Sequence, residues 1–189
     1  MKGRILALTI SFLLSSPVKP QSWVDGRYSV EYDTTLKIPR RVTWALCTSD
    51  LGAEKRQSQI KFYPDDDIPG GTAMPSDYTR TGYDRGHMCP AADRSCSSRA
   101  MAATFSMANI APQVPALNRG AWKRIEDACR RYARGGHPVT IIADAIFWQA
   151  DTLRIGHSQV NVPHAFVKTV RLQANDSIIY SGYFQNDNL

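Results

Sequence analysis

Prolines on one side and a glycine pair on the other fence off a single long helix in this 189-residue chain. Pro112 and Pro115 break the backbone before it and Gly135-Gly136 ends it, which predicts a helix from about Asn118 to Arg134. At roughly 100° per residue, Ala121, Ile125, Ala128 and Tyr132 share one narrow stripe, flanked by Trp122 and Cys129. That stripe is the expected buried face. Lys123, Arg124, Arg130, Arg131 and Arg134 fall on the other side, where a solvated surface explains them better than a nucleic-acid contact does. Asn118 is the exception, because it projects to the buried side at the first turn. A buried amide without partners costs about 1–3 kcal/mol. Either it caps the helix or something binds there.

The remaining chain reads as strands and loops around that helix. Alternation predicts strands at Tyr28–Tyr32, Arg41–Leu46, Val139–Ala143, Ala165–Leu172 and Ser177–Phe184, with another at Phe105–Ile110 and a short helix at Ser98–Ala103. Residues 64–76, rich in Pro, Gly and Asp, are a predicted loop, and the Asp65–Asp67 triplet in it is better read as solvated than as a cation site. Strands and helices do not alternate regularly, so the expected class is α+β, in one domain. With 43% hydrophobic and 21% charged residues, disordered and coiled-coil readings are out. The formal charge of +6 includes Lys2, Arg4 and Lys19, which no acid within residues 1–20 offsets. Without them the excess is small and names no partner.

Residues 1–20 have the layout of a secretory signal peptide: Lys2 and Arg4, then an apolar run from Ile5 to Leu14, then Ser15, Ser16 and Pro17. The run is too short for a bilayer, which needs roughly 20 apolar residues. The expectation is therefore a secreted or periplasmic protein with its domain in residues 21–189. In an oxidising compartment Cys47, Cys89, Cys96 and Cys129 would form one or two disulfides or stay as buried thiols, with the pairing open. A zinc site with His87, Cys89 and Cys96 is disfavoured, since the spacing matches no usual ligand pattern.

Chemistry concentrates in Asp84-Arg85-Gly86-His87. On an extended segment Arg85 and His87 share a side. That sets a fixed cation beside a group able to take a proton near neutral pH. A guanidinium forks onto phosphate oxygens and an imidazole can deprotonate water, so the pair suits phosphoryl chemistry. About thirty residues on comes Asn118-Arg119-Gly120-Ala121-Trp122-Lys123-Arg124-Ile125-Glu126, preceded by Asn109 in Met107-Ala108-Asn109-Ile110-Ala111-Pro112-Gln113.

Together these stretches closely resemble the signature of the DNA/RNA non-specific endonucleases, the ββα-metal nucleases that include endonuclease G. The likeness extends to Val162-Pro163-His164-Ala165-Phe166-Val167-Lys168. It implies an antiparallel sheet with a metal-bearing helix and a Mg²⁺-dependent hydrolysis of DNA and RNA phosphodiesters that leaves 5′-phosphates, Mn²⁺ being able to stand in. By the same likeness His87 would be the general base, Asn118 the sole protein ligand of the metal and Glu126 the holder of its water shell. Asn109 would position the site, Arg85 would grip phosphate and Arg56 would face the charge on phosphorus. A spacing of eight residues puts Asn118 and Glu126 about 12 Å apart along a straight helix axis. Inner-shell Mg²⁺ bonds are only about 2.0–2.1 Å long, so one direct ligand plus one carboxylate acting through water is the arrangement that fits. An inactive nucleic-acid-binding relative would lack the base or the ligand, and both are present. A cysteine-stapled structural module gives no reason for the Asp84–His87 cluster.

Overall fold

Period-two alternation builds the main sheet. A computed structural model of the chain describes residues 20–22, 28–55, 57–148 and 153–187. In chain order the elements are β1 (Pro20–Ser22), β2 (Tyr28–Asp33), β3 (Ile38–Leu46), β4 (Asp84–His87), α1 (Ser98–Ala103), β5 (Ile110–Gln113), α2 (Lys123–Arg134), β6 (Val139–Ile146), β7 (Arg154–Ile155), β8 (Val160–Asn161), β9 (Ala165–Leu172) and β10 (Ile178–Gln185). Six of them form one sheet in the order β1-β2-β3-β6-β9-β10, each pair antiparallel. Everything between Leu46 and Val139 leaves that sheet and returns beside the strand it left. This excursion carries β4, α1, β5 and α2. Its β4–β5 ribbon runs antiparallel and feeds α2, so the class is α+β and the excursion is a β-β-α unit packed on the sheet.

The buried side of the sheet presents Tyr28, Val30, Val42, Trp44, Leu46, Ile141, Ala143, Phe166 and Val170, and the excursion covers them. Trp122 anchors the helix there, its ring centroid 5.5 Å from Phe166 and 5.4 Å from Phe184. Truncating such a ring to Ala costs about 3–5 kcal/mol.

Three sequence expectations change in detail. The regular helix starts at Lys123 rather than Asn118, because Leu117–Trp122 is a wider turn broken at Gly120, whose φ of −104° and ψ of −107° no helix allows. Its buried row is Trp122, Cys129, Arg130 and Ala133, while Ala121, Ile125 and Ala128 are half-buried and Tyr132 is exposed. Seating the largest side chain, Trp122, turns the helix by about one position and carries Arg130 inside. Phe105–Ile110 is not a strand. Ser106 caps a tight turn over Met107–Asn109 by accepting from Ala108 N at 3.1 Å, and β5 begins only at Ile110.

The four cysteines are free thiols, which corrects the disulfide expectation. Cys89 and Cys129 sit in the core, where burial pushes the Cys129 thiol up to about 11. Cys47 instead donates to Asp50 Oδ2 at 3.0 Å. The predicted export segment, residues 1–20, lies outside the described residues apart from Pro20. No helix among the described residues is long and apolar enough to cross a membrane.

Candidate active site

The β4–β5 ribbon sets Asp84 opposite Gln113, Arg85 opposite Pro112, Gly86 opposite Ala111 and His87 opposite Ile110. Only glycine fits at 86, since a Cβ there would overlap the Gln113 side chain. Alternation does place Arg85 and His87 on one side: the Arg85 guanidinium lies 5.4 Å from the centre of the Phe62 ring, and the His87 ring is also 5.4 Å from it. Phe105 meets the imidazole edge-on at 4.8 Å. Arg85 donates through Nε and Nη2 to the Pro75 carbonyl at 3.0 and 2.7 Å, which fixes the fork and leaves its other N–H groups for an anion.

Asp84 holds the start of the wide turn. It accepts from Asn118 Nδ2 at 2.9 Å and from Arg119 Nε and Nη2 at 2.8 and 2.6 Å. Burial pushes its carboxyl up, but the Arg119 and Asn118 hydrogen bonds and the Arg119 charge outweigh that and hold it below its ordinary range. An ionised carboxylate only accepts, so it must face the NH₂ end of the amide. Asn118 Oδ1 is thereby turned away from Asp84 and takes no hydrogen bond from the described residues. An oriented amide oxygen is the hard donor that Mg²⁺ selects. Asp84 was passed over as a site residue. Its acceptor-only chemistry within the tetrad was the signal for it.

Asn109 is fully buried and clamps the chain that follows His87. Its Nδ2 donates to the Cys89 and Thr104 carbonyls at 2.9 Å each, and its Oδ1 accepts from Cys89 N at 2.9 Å. With both ends of the amide committed, it positions backbone and cannot reach substrate. Trp122 Nε1 donates to the His87 carbonyl at 3.2 Å and closes the ribbon onto the helix.

Glu126 turns inward from α2. One of its oxygens lies 3.5 Å from Nζ of Lys168, whose side chain is 1% exposed and whose ammonium sits 3.7 Å over the Trp122 ring. Burial raises the Glu126 carboxyl, and the Lys168 charge offsets part of that. Lys168 was missed as part of the site, although a lysine in phase with Phe166 and Val170 marks a buried position on β9. The structure thus carries Arg85 and His87 on β4, ties Asn118 of the wide turn to that strand through Asp84, clamps the backbone after His87 with Asn109 and buries Glu126 against Lys168. Arg56 lies outside the described residues. Asp65, in the acidic loop, is buried and accepts from Ser106 Oγ at 2.9 Å rather than facing solvent.

A family model described as DNA/RNA non-specific endonuclease matches residues 11–188. A nuclease of Nostoc sp. is 35% identical over 148 residues, covering 72% of this chain and 53% of that protein. The mitochondrial nuclease EXOG of Danio rerio is 33% identical over 172 residues, covering 84% of this chain and 50% of that protein. The chain therefore spans about half the length of these curated relatives. A crystal structure of an EndoG/EndoGI complex superposes with a TM-score of 0.79 at 25% identity, covering 89% of this chain and 74% of that one. Several relatives are named as mitochondrial, which overturns the expectation of a secreted or periplasmic protein. A ten-residue, largely apolar run behind two cations carries hydrophobicity but no address unique to one compartment.

Proposed function

The chain belongs to the DNA/RNA non-specific endonuclease family, and from that premise we propose that it is a metal-dependent endonuclease hydrolysing phosphodiester bonds of DNA and RNA. The observation that carries this reading is the Asn118 amide, oriented so that its oxygen is free by Asp84, which lies on the same strand as Arg85 and His87. Asn118 Oδ1 would hold the ion directly and Glu126 through water. A divalent ion held there, Mg²⁺ or in its place Mn²⁺, would supply Lewis-acid stabilisation of the charge on the phosphate and the departing oxygen. His87 accepts the proton of the attacking water, with the imidazole held between Phe62 and Phe105. Arg85 binds a phosphate oxygen through the N–H groups that Pro75 leaves free, and Arg56 is assigned by family likeness to the charge on phosphorus. Asn109 keeps the His87–Cys89 backbone in place. Contacts of this kind address the phosphodiester, so sequence preference is weak. The products carry 5′-phosphates.

Plasmid nicking tests the reading. Mg²⁺ should support cleavage and a chelator should stop it, while His87→Ala and Asn118→Ala lose activity by about 10²-fold or more with DNA binding kept. Cleavage by the wild type that ignores the chelator, or full activity in His87→Ala, refutes it.

A further inference from the structure

Away from the phosphate-binding strand, the chain leaves two large rings in water at the end of the main sheet. Trp148, just past β6, is 51% exposed and Tyr183, on β10, is 54% exposed. Leaving apolar surface in water forgoes about 25 cal/mol per Å². Yet these rings are ordered rather than scattered. Trp148 stacks on His164 at 4.8 Å and 28°, and on Tyr183 at 6.2 Å and 26°, while Phe147 meets His164 edge-on. Backbone bonds fix the column: His164 N donates to Ile146 O at 3.0 Å, and Tyr183 pairs with Val167 across β9 and β10.

Hydrogen bonds tie this column to the backbone of Asn118. Asn186 donates its backbone N–H to His164 O at 2.9 Å and its Nδ2 to Pro163 O and Pro112 O at 2.8 and 2.9 Å. Its Oδ1 accepts from Val114 N at 2.9 Å, and Val114 O accepts from Asn118 N at 3.0 Å. The column is thus braced directly on the segment that leads into the wide turn. Arg40, 5.2 Å over the Phe147 ring, adds a cation nearby.

We propose that Trp148 and Tyr183, at the end of the main sheet, form a base-stacking subsite for single-stranded nucleic acid outside the β-β-α unit. This deepens the nuclease reading and rests on it. Near-parallel rings that stand half in water extend the stack of successive unpaired bases, whatever their identity, which suits an enzyme that reads no sequence. Bases paired in a duplex cannot offer those faces, so the subsite favours single strands and frayed ends.

The test is the affinity of the full chain for a fluorescent oligothymidylate, measured with chelator present so that nothing is cut. Trp148→Ala should weaken binding by about tenfold or more, and Trp148→Phe should recover most of it. The loss should persist at high salt, as a stacking contact releases no counterions. Wild-type affinity for an abasic oligonucleotide of the same length should fall to that of the variant. Hydrolysis of bis(4-nitrophenyl) phosphate, which has no base, should be unchanged in Trp148→Ala. Tyr183→Ala gives the same readings should Trp148→Ala fail to fold. Unchanged oligothymidylate affinity, or equal wild-type affinity for the abasic strand, overturns the proposal. So does a wild-type dimer that Trp148→Ala splits while binding is kept, since the rings would then be a contact between copies. A wild type that binds through these rings but cuts nothing with Mg²⁺ would instead sink the nuclease reading and leave the subsite standing.

Discussion

Glu126 and Arg130 lie one turn apart on the inward side of α2, and they are satisfied in opposite ways. Arg130 is closed. Its Nη1 donates to Asp93 Oδ1 at 2.6 Å and its Nη2 to Asp127 Oδ1 at 2.5 Å, and Trp44 Nε1 fills the other Asp93 oxygen at 2.9 Å. Glu126 is open. Lys168 stands 3.5 Å away, outside hydrogen-bond geometry, and its ammonium is steadied by the Trp122 ring instead. Burying an ion costs several kcal/mol, so a pair kept only for stability should be saturated, as the Arg130–Asp93 pair is. An unsaturated pair beside the wide turn leaves lone pairs and N–H groups for the water around the proposed ion. Scaffold and site thus share one helix row, and they differ in how completely their charges are hydrogen-bonded.

The largest effect should come from opening the closed pair. Arg130→Ala strands Asp93 as a buried, uncompensated carboxylate, which costs about 3–5 kcal/mol in urea or thermal unfolding. A loss under about 1 kcal/mol would mean that water already reaches Asp93, and the contrast would break. Glu126→Gln should act on the ion instead. Mg²⁺ affinity, read by calorimetry, and kcat/KM for DNA should fall about 10–100-fold, as for other groups that act on a metal through water. Stability should fall less than in Arg130→Ala, because the Trp122 ring still faces the ammonium. If Mg²⁺ affinity is unchanged while stability collapses, Glu126 is scaffold as well.

The same contrast explains what the sequence let one read. Strand and helix periods gave β2, β6, β9, β10 and α1 closely, because their apolar residues recur at the period of the element. The tetrad at 84–87 and the amide at 118 were legible because their chemistry is unusual for their positions. Arg130 was not, since periodicity counts charge as solvent-facing and cannot see Asp93 arriving from a distant turn. Lys168 was hidden for the same reason. The break at Gly120 was invisible too, because a wide turn and a helix share one hydrophobic pattern. The ring column also lay unread, because Trp148, His164 and Tyr183 meet only through sheet pairing across β6, β9 and β10.

The smallest effect separates the two carboxylates on the Arg130 guanidinium. Asp127 is held below its ordinary range, first by the Lys123 hydrogen bond, then by the Arg130 hydrogen bond and both charges, with burial opposing. Asp93 is raised, because burial outweighs the Arg130 charge, its hydrogen bond and that of Trp44. A depressed carboxyl stabilises the fold above its unfolded pKa of about 3.9, and that gain is lost as pH falls through the folded value. A raised carboxyl works the other way: the fold holds its proton longer, so its contribution declines as pH rises through the shifted value. Asp127 is over a third exposed, so solvent limits its share to about 1 kcal/mol or less. Asp127→Asn should therefore cost that much at pH 7, and the difference from the wild type should close as urea titrations move into acid. A difference that stays constant from pH 7 to pH 3 would show that Asp127 contributes packing or helix propensity rather than charge, leaving Asp93 to hold Arg130 alone.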